Sequence, residues 1–101
     1  MDLKMEMLKW LENFYSSNCD GDWEHGYGIT ISTIDNPGWS IKVNLQDTPL
    51  ENKRPFQNYV VERTENDWVH CRLKDGCFEA FGGPENLNEI LEFFKRWAES
   101  S

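Results

Sequence analysis

The feature that most constrains the fold is the Asp75-Gly76 step, which joins two segments of alternating polarity. In residues 68–73 and 77–81, apolar and polar residues alternate with the period of two that is typical of half-buried strands. An Asp-Gly step between two such segments predicts a two-residue hairpin turn. That turn places Leu73 opposite Phe78, Arg72 opposite Glu79 and His70 opposite Phe81. The face predicted to be buried carries Val69, Cys71, Leu73, Phe78 and Ala80.

Three further segments have the same strand-like alternation. Residues 27–31 and 39–45 alternate on either side of Asp35-Asn36-Pro37-Gly38, which predicts two strands joined by a tight turn. Residues 58–64 form a third segment that meets the strand at 68–73 across residues 65–67. The intervening residues 46–55 contain two prolines and mixed charges, so they are predicted to be a loop.

Helical spacing appears at the two ends of the chain. Residues 3–15 carry an apolar stripe of Leu3, Met7, Trp10, Leu11 and Phe14. A second stripe follows Pro84, which is predicted to lie in the first helical turn, and it consists of Leu87, Ile90, Leu91, Phe94 and Trp97. Residues 19–26 are rich in glycine and carboxylates and are predicted to be irregular.

The predicted class is α+β, with a mostly antiparallel five-stranded sheet flanked by an N-terminal and a C-terminal helix. The order α-β-β-β-β-β-α has no helix between consecutive strands, which disfavours a parallel sheet and favours both helices on one face. A length of 101 residues suits one core, so residues 1–101 are expected to form a single domain.

The charge of the chain limits its partners. Ten basic and eighteen acidic residues give a net charge of -8, which repels nucleic acid phosphates and anionic membrane surfaces. The N-terminus offers no secretory signal, no apolar run is long enough to span a membrane, and three cysteines without a CxxC spacing favour reduced thiols. A cytoplasmic location is therefore expected.

The side chains with possible chemistry do not form a recognisable catalytic or metal-binding pattern. Asp20, Asp22, Glu24 and His25 are close in sequence, but an EF-hand loop starting at Asp20 would need glycine where His25 stands. Cys71 is predicted to be buried, Cys19 is interpreted as a small apolar residue and Cys77 is expected to be more exposed. The sequence therefore predicts no catalytic residue, no metal ligand and no cofactor.

Several large side chains occur where a core does not obviously require them. Trp23 and His25 lie in the acidic segment, while Trp68, His70 and Arg72 alternate on the strand face opposite the predicted buried face. Exposed aromatic residues and Arg are common at the centres of protein interfaces. The alternative is that a helix covers this face and Trp68 belongs to the core.

Four ordered segments together resemble a known protein family. They are residues 19–25 (Cys-Asp-Gly-Asp-Trp-Glu-His), 35–39 (Asp-Asn-Pro-Gly-Trp), 65–71 (Glu-Asn-Asp-Trp-Val-His-Cys) and Gly82-Gly83-Pro84. Taken in order from Leu8 to Trp97, the set resembles the immunity protein 53 family of bacterial polymorphic toxin systems. The resemblance implies a cytoplasmic protein that binds and blocks a cognate toxin domain, and it implies no catalytic residue.

This resemblance leads to a hypothesis about the contact surface. We expect the toxin to contact or adjoin Asp20, Asp22, Trp23, Glu24, His25, Trp68, His70 and Arg72. A basic toxin such as a nuclease would be attracted by the acidic chain. A competing interpretation is that Trp23 and His25 hold their segment against the sheet. Two other functions remain open, a small enzyme such as a sulfurtransferase and a general protein-binding adaptor.

Overall fold

The computed structural model describes residues 3–26 and 28–100 and has the predicted α+β architecture. Within these two ranges, three helices and five strands follow each other. They are α1 (Leu3–Asn18), α2 (Trp23–Gly26), β1 (Ile29–Ile34), β2 (Gly38–Asn44), β3 (Tyr59–Thr64), β4 (Asp67–Lys74), β5 (Cys77–Gly82) and α3 (Leu87–Glu99).

All five strands form one antiparallel sheet in the order β1-β2-β5-β4-β3. The predicted hairpin register is confirmed, since Leu73 pairs with Phe78, Arg72 with Glu79 and His70 with Phe81. Asp75 and Gly76 form its two-residue loop and both have positive φ values, 53° and 77°. A tight hairpin loop of this type needs positive φ values at both of its residues, and Asp-Gly is favoured there because it adopts them readily.

The core lies between the sheet and the two long helices, which share one face as predicted. Sheet residues and helix residues meet in one cluster that includes Ile41, Val43, Val69, Cys71, Phe78 and Ala80 from the strands and Met7, Ile90, Leu91, Phe94 and Trp97 from the helices. Trp10 and Phe14 of α1 pack against Phe94 of α3, with ring centroids 5.8 Å and 5.3 Å apart. Because both helices occupy this face, the opposite face of the sheet is left uncovered among the described residues.

Three local predictions were wrong. α1 continues to Asn18, three residues beyond its predicted end. The segment 19–26 is not wholly irregular, because it contains the single helical turn α2. Pro84 precedes α3, which begins at Leu87; the Asn86 N–H donates to the Gly83 carbonyl, so this stretch is a separate turn. Tyr27 of the predicted first strand lies outside the described residues, as does the side chain of Leu3.

Candidate functional site

The acidic segment is organised by the carboxylate of Asp20. Its Oδ1 atom accepts hydrogen bonds from the backbone N–H groups of Asp22, at 2.9 Å, and Trp23, at 3.0 Å. These donors lie at the start of α2, where backbone N–H groups have no partner within the helix. The bonds lower the pKa of Asp20, chiefly through the Trp23 N–H. Asp20 therefore caps the turn.

Glu24 completes this arrangement from inside the helical turn. Its two carboxylate oxygens accept the backbone N–H groups of Asp20 and Gly21, at 2.9 Å and 2.8 Å. The reciprocal exchange resembles a capping box, in which an acidic side chain reaches back to the start of the helix. Backbone hydrogen bonds also lower the pKa of Glu24. Two of the three carboxylates predicted to contact a partner thus stabilise the local fold.

Trp23 is held inside the protein by this turn. Its side chain is 0% exposed, its Nε1 donates to the carbonyl of Asn44 at 3.0 Å, and its ring contacts those of Phe14 and Tyr15. The expectation that the Trp23 side chain is accessible was therefore wrong, and the competing interpretation holds for this residue. His25 is exposed, so it does not hold the segment in place, and Asp22 is exposed beside it.

Trp68, His70 and Arg72 lie together on the uncovered face of the sheet. All three are partly exposed, whereas Val69 and Cys71 between them face the core. The Trp68 and His70 rings meet edge to face at 5.2 Å. The Arg72 guanidinium lies 5.7 Å from the centre of the Phe81 ring and binds Glu79, with Nε 2.9 Å and Nη2 2.8 Å from Oε1. The structure thus removes the alternative in which a helix covers Trp68.

A concave region of about 290 Å³ adjoins this group at the end of the sheet where β4 begins. It is lined by Asn36, Glu62, Thr64, Glu65, Trp68 and His70. Glu62 Oε2 lies 3.7 Å from His70 Nε2, an atom that has no hydrogen-bond partner among the described residues. An indole ring beside two carboxylates suits an ammonium or guanidinium group, by charge and by cation–π attraction.

Glu62 and Glu65 were not among the predicted contact residues. The pairing of Glu62 with Trp68 across the β3–β4 turn could have identified Glu62 as a contact residue. That register, however, depends on an irregularity between Glu62 and Thr64. Such a bulge changes which side chains face each other and is not encoded by simple alternation.

The predicted contact residues do not form one surface. α2 packs beside the last residue of β2, Asn44, whereas Trp68 lies near the start of β4. In the antiparallel sheet, Asn44 at the end of β2 aligns with Cys77 at the start of β5 and with Lys74 at the end of β4. Asn44 and Trp68 are therefore at opposite ends of the strands. The structure thus brings together Trp68, His70 and Arg72, and it places Trp68 at the opposite end of the strands from α2 and the neighbouring Asp22 and His25.

Three of the four motif segments meet behind this surface for a steric reason. A Cβ atom on Gly38 would stand 2.2 Å from the carbonyl oxygen of Gly82, and one on Gly83 would stand 2.3 Å from that of Asn66. Only glycine allows backbones to approach so closely. The indole Nε1 of Trp39 donates to the Pro84 carbonyl at 2.9 Å and joins two of the segments. These motif residues shape the scaffold beneath the site.

The exposure of two of the three cysteines differs from the prediction. Cys71 is buried as predicted, and burial raises the pKa of its thiol to about 12. Cys77 is only 4% exposed, and burial raises the pKa of its thiol too, so the expectation that it is accessible was wrong. Cys19 is exposed rather than packed, and its Sγ donates to the Tyr15 carbonyl. A thiolate nucleophile is disfavoured at both buried positions.

Within residues 3–26 and 28–100, no three or more His, Cys, Asp or Glu side chains converge as metal ligands. No helix in the same residues combines the length and apolar character needed to cross a membrane.

The fold and the exposed side chains define an α+β protein that displays one bare face of an antiparallel sheet. Residues 8–99 match the family Immunity protein 53, so the chain belongs to that family. No curated protein and no solved structure shows a significant match to the chain.

Proposed function

We propose that this protein is a cytoplasmic immunity protein, which binds the toxin domain of a bacterial polymorphic toxin system and neutralises it without catalysing a reaction. The observation that carries the proposal is membership of the Immunity protein 53 family over residues 8–99. Membership implies a toxin partner in general terms. The prediction that residues 1–101 form a single domain is part of this proposal.

We assign the main toxin contact to the uncovered face of the sheet around Trp68, His70 and Arg72. A fixed sheet presents these side chains without the entropy cost of ordering a loop. Trp and Arg are the residue types that most often dominate binding energy when a partner covers them. Asp22 and His25, at the end of the sheet opposite to Trp68, form a secondary contact, whereas Asp20, Trp23 and Glu24 support the fold.

The chemistry of the surface favours a basic toxin. The net charge of -8 accelerates the association of a cationic partner over distances of about a Debye length, roughly 8–10 Å. At short range, Glu62 and Glu65 beside Trp68 receive a lysine or arginine side chain. A nuclease fits this description, because its active site binds phosphates with basic residues and acidic side chains of an inhibitor can occupy that site.

A sulfurtransferase is the weaker alternative. Such an enzyme needs an accessible thiolate, and burial disfavours the charged form of Cys71 and Cys77. Cys19 is exposed, so a Cys19→Ser variant that protects cells as well as wild type does would exclude a role for its thiol.

The proposal is tested by co-expressing the chain with the toxin domain encoded beside it and measuring growth. We expect wild type and Leu8→Ala to restore growth, because Leu8 is 55% exposed on α1, away from the proposed contact. Trp68→Ala is expected to protect less well while remaining folded by circular dichroism. Absence of both growth rescue and a stable complex with wild type would overturn the proposal.

A further inference from the structure

The two outer strands of the sheet differ in how they are protected against pairing with another chain. β3 carries Glu62 and Arg63 and has a register irregularity, features that commonly prevent edge-to-edge pairing. β1 has the sequence Ile-Thr-Ile-Ser-Thr-Ile, with no charge and no proline, and it pairs with β2 in an unbroken register from Ile29 to Ile34. β1 therefore lacks the usual protection of an exposed edge.

The backbone of β1 also offers free hydrogen-bonding groups. The Asn44 N–H donates to the Gly28 carbonyl at 3.1 Å, which identifies residues 28 and 44 as a hydrogen-bonded pair. Because such pairs alternate along an antiparallel ladder, Thr30, Ser32 and Ile34 bond to β2 while Ile29, Ile31 and Thr33 direct their N–H and C=O groups outward. Within the described part of the chain, these outward groups have no backbone partner outside the sheet.

The side chains of β1 leave room for another strand. Thr30, Ile31, Ser32 and Thr33 are exposed, and Ile31 is 40% exposed although it lies on the core-facing side. β2 is the main contact of β1, while α3 packs against β4 and β5. A β-branched surface of this kind suits the pleat of a neighbouring strand.

Charge selects the occupant of this edge. Asp22 directly precedes α2, whose Trp23 indole bonds to Asn44, the residue paired with Gly28 just before β1, and Asp35 directly follows the end of β1. Both aspartates are exposed, and neither forms an ion pair among the described residues. Antiparallel pairing of two copies would bring Asp22 of one copy toward Asp35 of the other, against a net charge of -8 on each chain. An extended segment with basic residues at its ends would instead be attracted at both ends of β1.

We propose that β1 binds an extended segment of a basic partner protein, which adds to the sheet as a sixth, main-chain-bonded strand. The inference rests on the proposed function, since it identifies that partner segment as part of the toxin domain. It deepens that function by adding a backbone contact beside the side-chain contact on the open face.

The test compares two substitutions at Ile31. In Ile31→Pro, the lost N–H is one that faces outward, so the pairing with β2 is preserved while an added strand loses a donor and meets the proline ring. Ile31→Ala removes most of the side chain and keeps the N–H, which makes it the matched control. We expect Ile31→Pro to weaken toxin binding at least tenfold, which is roughly the effect of losing one hydrogen bond and leaving its acceptor on the added strand unsatisfied. Ile31→Ala is expected to change the affinity less than about threefold.

Amide hydrogen exchange gives an independent readout of the same contact. Ile29, Ile31 and Thr33 are expected to exchange more slowly in the complex than in the free protein, whereas Thr30 and Ser32 are already bonded to β2 and change less. If wild type binds the toxin but Ile31→Pro binds equally well and these amides stay unprotected, strand addition is wrong and the proposed function stands. If wild type does not bind the toxin, the proposed function itself fails. Protection that depends on the concentration of the free protein would show pairing between copies and would also overturn the inference.

Discussion

Single residues of the acidic segment have opposite roles although they look alike in the sequence. Asp20 and Glu24 accept four backbone N–H groups between them and build the turn that carries Trp23, while the side chain of Asp22 forms no hydrogen bond within the described residues. The spacing of the acids did not reveal this division, because it depends on which carboxylate faces the start of a one-turn helix. Charge reversal of all three acids would therefore mix a structural effect with a binding effect.

Substituting these acids one at a time separates the two effects. Asp20→Ala is expected to lower the melting temperature, because the N–H groups of Asp22 and Trp23 lose their acceptor. Asp22→Ala should leave the melting temperature almost unchanged. Thermal unfolding followed by circular dichroism checks both, and an equal loss for the two variants would contradict the assigned roles.

Truncating Trp23 is expected to be one of the most damaging single changes. The side chain is fully buried and its Nε1 donates to the Asn44 carbonyl, so Trp23→Ala leaves a cavity and removes this hydrogen bond. We expect a loss of about 3–5 kcal/mol in the free energy of unfolding. Urea denaturation of the purified variant measures it, and a loss below about 1 kcal/mol would mean that the indole is not part of the core.

At the scale of the elements, strand identity and register were predictable and the turns between elements were less so. Alternation and Asp75-Gly76 determine the pairing of β4 with β5 because a one-residue slip would turn Leu73 and Phe78 away from the core. The turn before α3 was not predictable from Pro84 alone. This turn depends on contacts between segments that are distant in the sequence, such as the hydrogen bond from the Trp39 indole to the Pro84 carbonyl. No local sequence pattern indicates such contacts.

The close backbone approach at Gly83 gives a prediction for this turn. A methyl group there would stand 2.3 Å from the Asn66 carbonyl oxygen, so Gly83→Ala is expected to lower the free energy of unfolding by about 1–3 kcal/mol or more. Gly26→Ala is the control, because nothing lies within 4 Å of its added Cβ. Equal stability of the two variants in urea would show that the backbones can separate without cost.

For the whole molecule, the sequence predicted the layer arrangement and the position of Trp68, His70 and Arg72 on the face opposite the core, but not the side chains that surround them. Two amphipathic helices around an antiparallel sheet require one covered face, and the apolar stripes showed which residues meet there. The burial of Cys77 and the proximity of Glu62 to His70 depend on the loops and on the bulge in β3. The surface could therefore be predicted only in part.

Acid should destabilise the whole protein through the cluster that joins β3 to α3. Arg63 Nη1 lies 2.8 Å from Asp67 Oδ1 and Nη2 lies 2.5 Å from Glu89 Oε2, and Asn86 donates to both carboxylates. Hydrogen bonds from Asn86 and Arg63 lower the pKa of Asp67, and those from Arg63 and Asn86 lower that of Glu89. Because both pKa values are lowered on folding, their contribution is complete above the ordinary values of 3.8 and 4.5 and is lost as the pH falls below them.

The expected result is a melting temperature that declines as the pH falls below about 4.5, with a shallower decline in Asp67→Asn and Glu89→Gln. Glu65→Gln, on the exposed β3–β4 turn, serves as the control and should keep the wild-type slope. Scanning calorimetry between pH 7 and pH 3 measures all four proteins. An unchanged slope in the two cluster variants would mean that this cluster does not couple protonation to folding.

The central claim is that the uncovered sheet face binds a toxin domain, and the dissociation constant of that complex tests it most directly. Isothermal titration of the purified protein with the toxin domain encoded beside it would be measured for wild type, Trp68→Ala and Leu8→Ala. We predict tight binding by wild type and Leu8→Ala, and binding at least about thirtyfold weaker by Trp68→Ala, as for a residue at the centre of an interface. Wild-type affinity in a folded Trp68→Ala variant would contradict the claim.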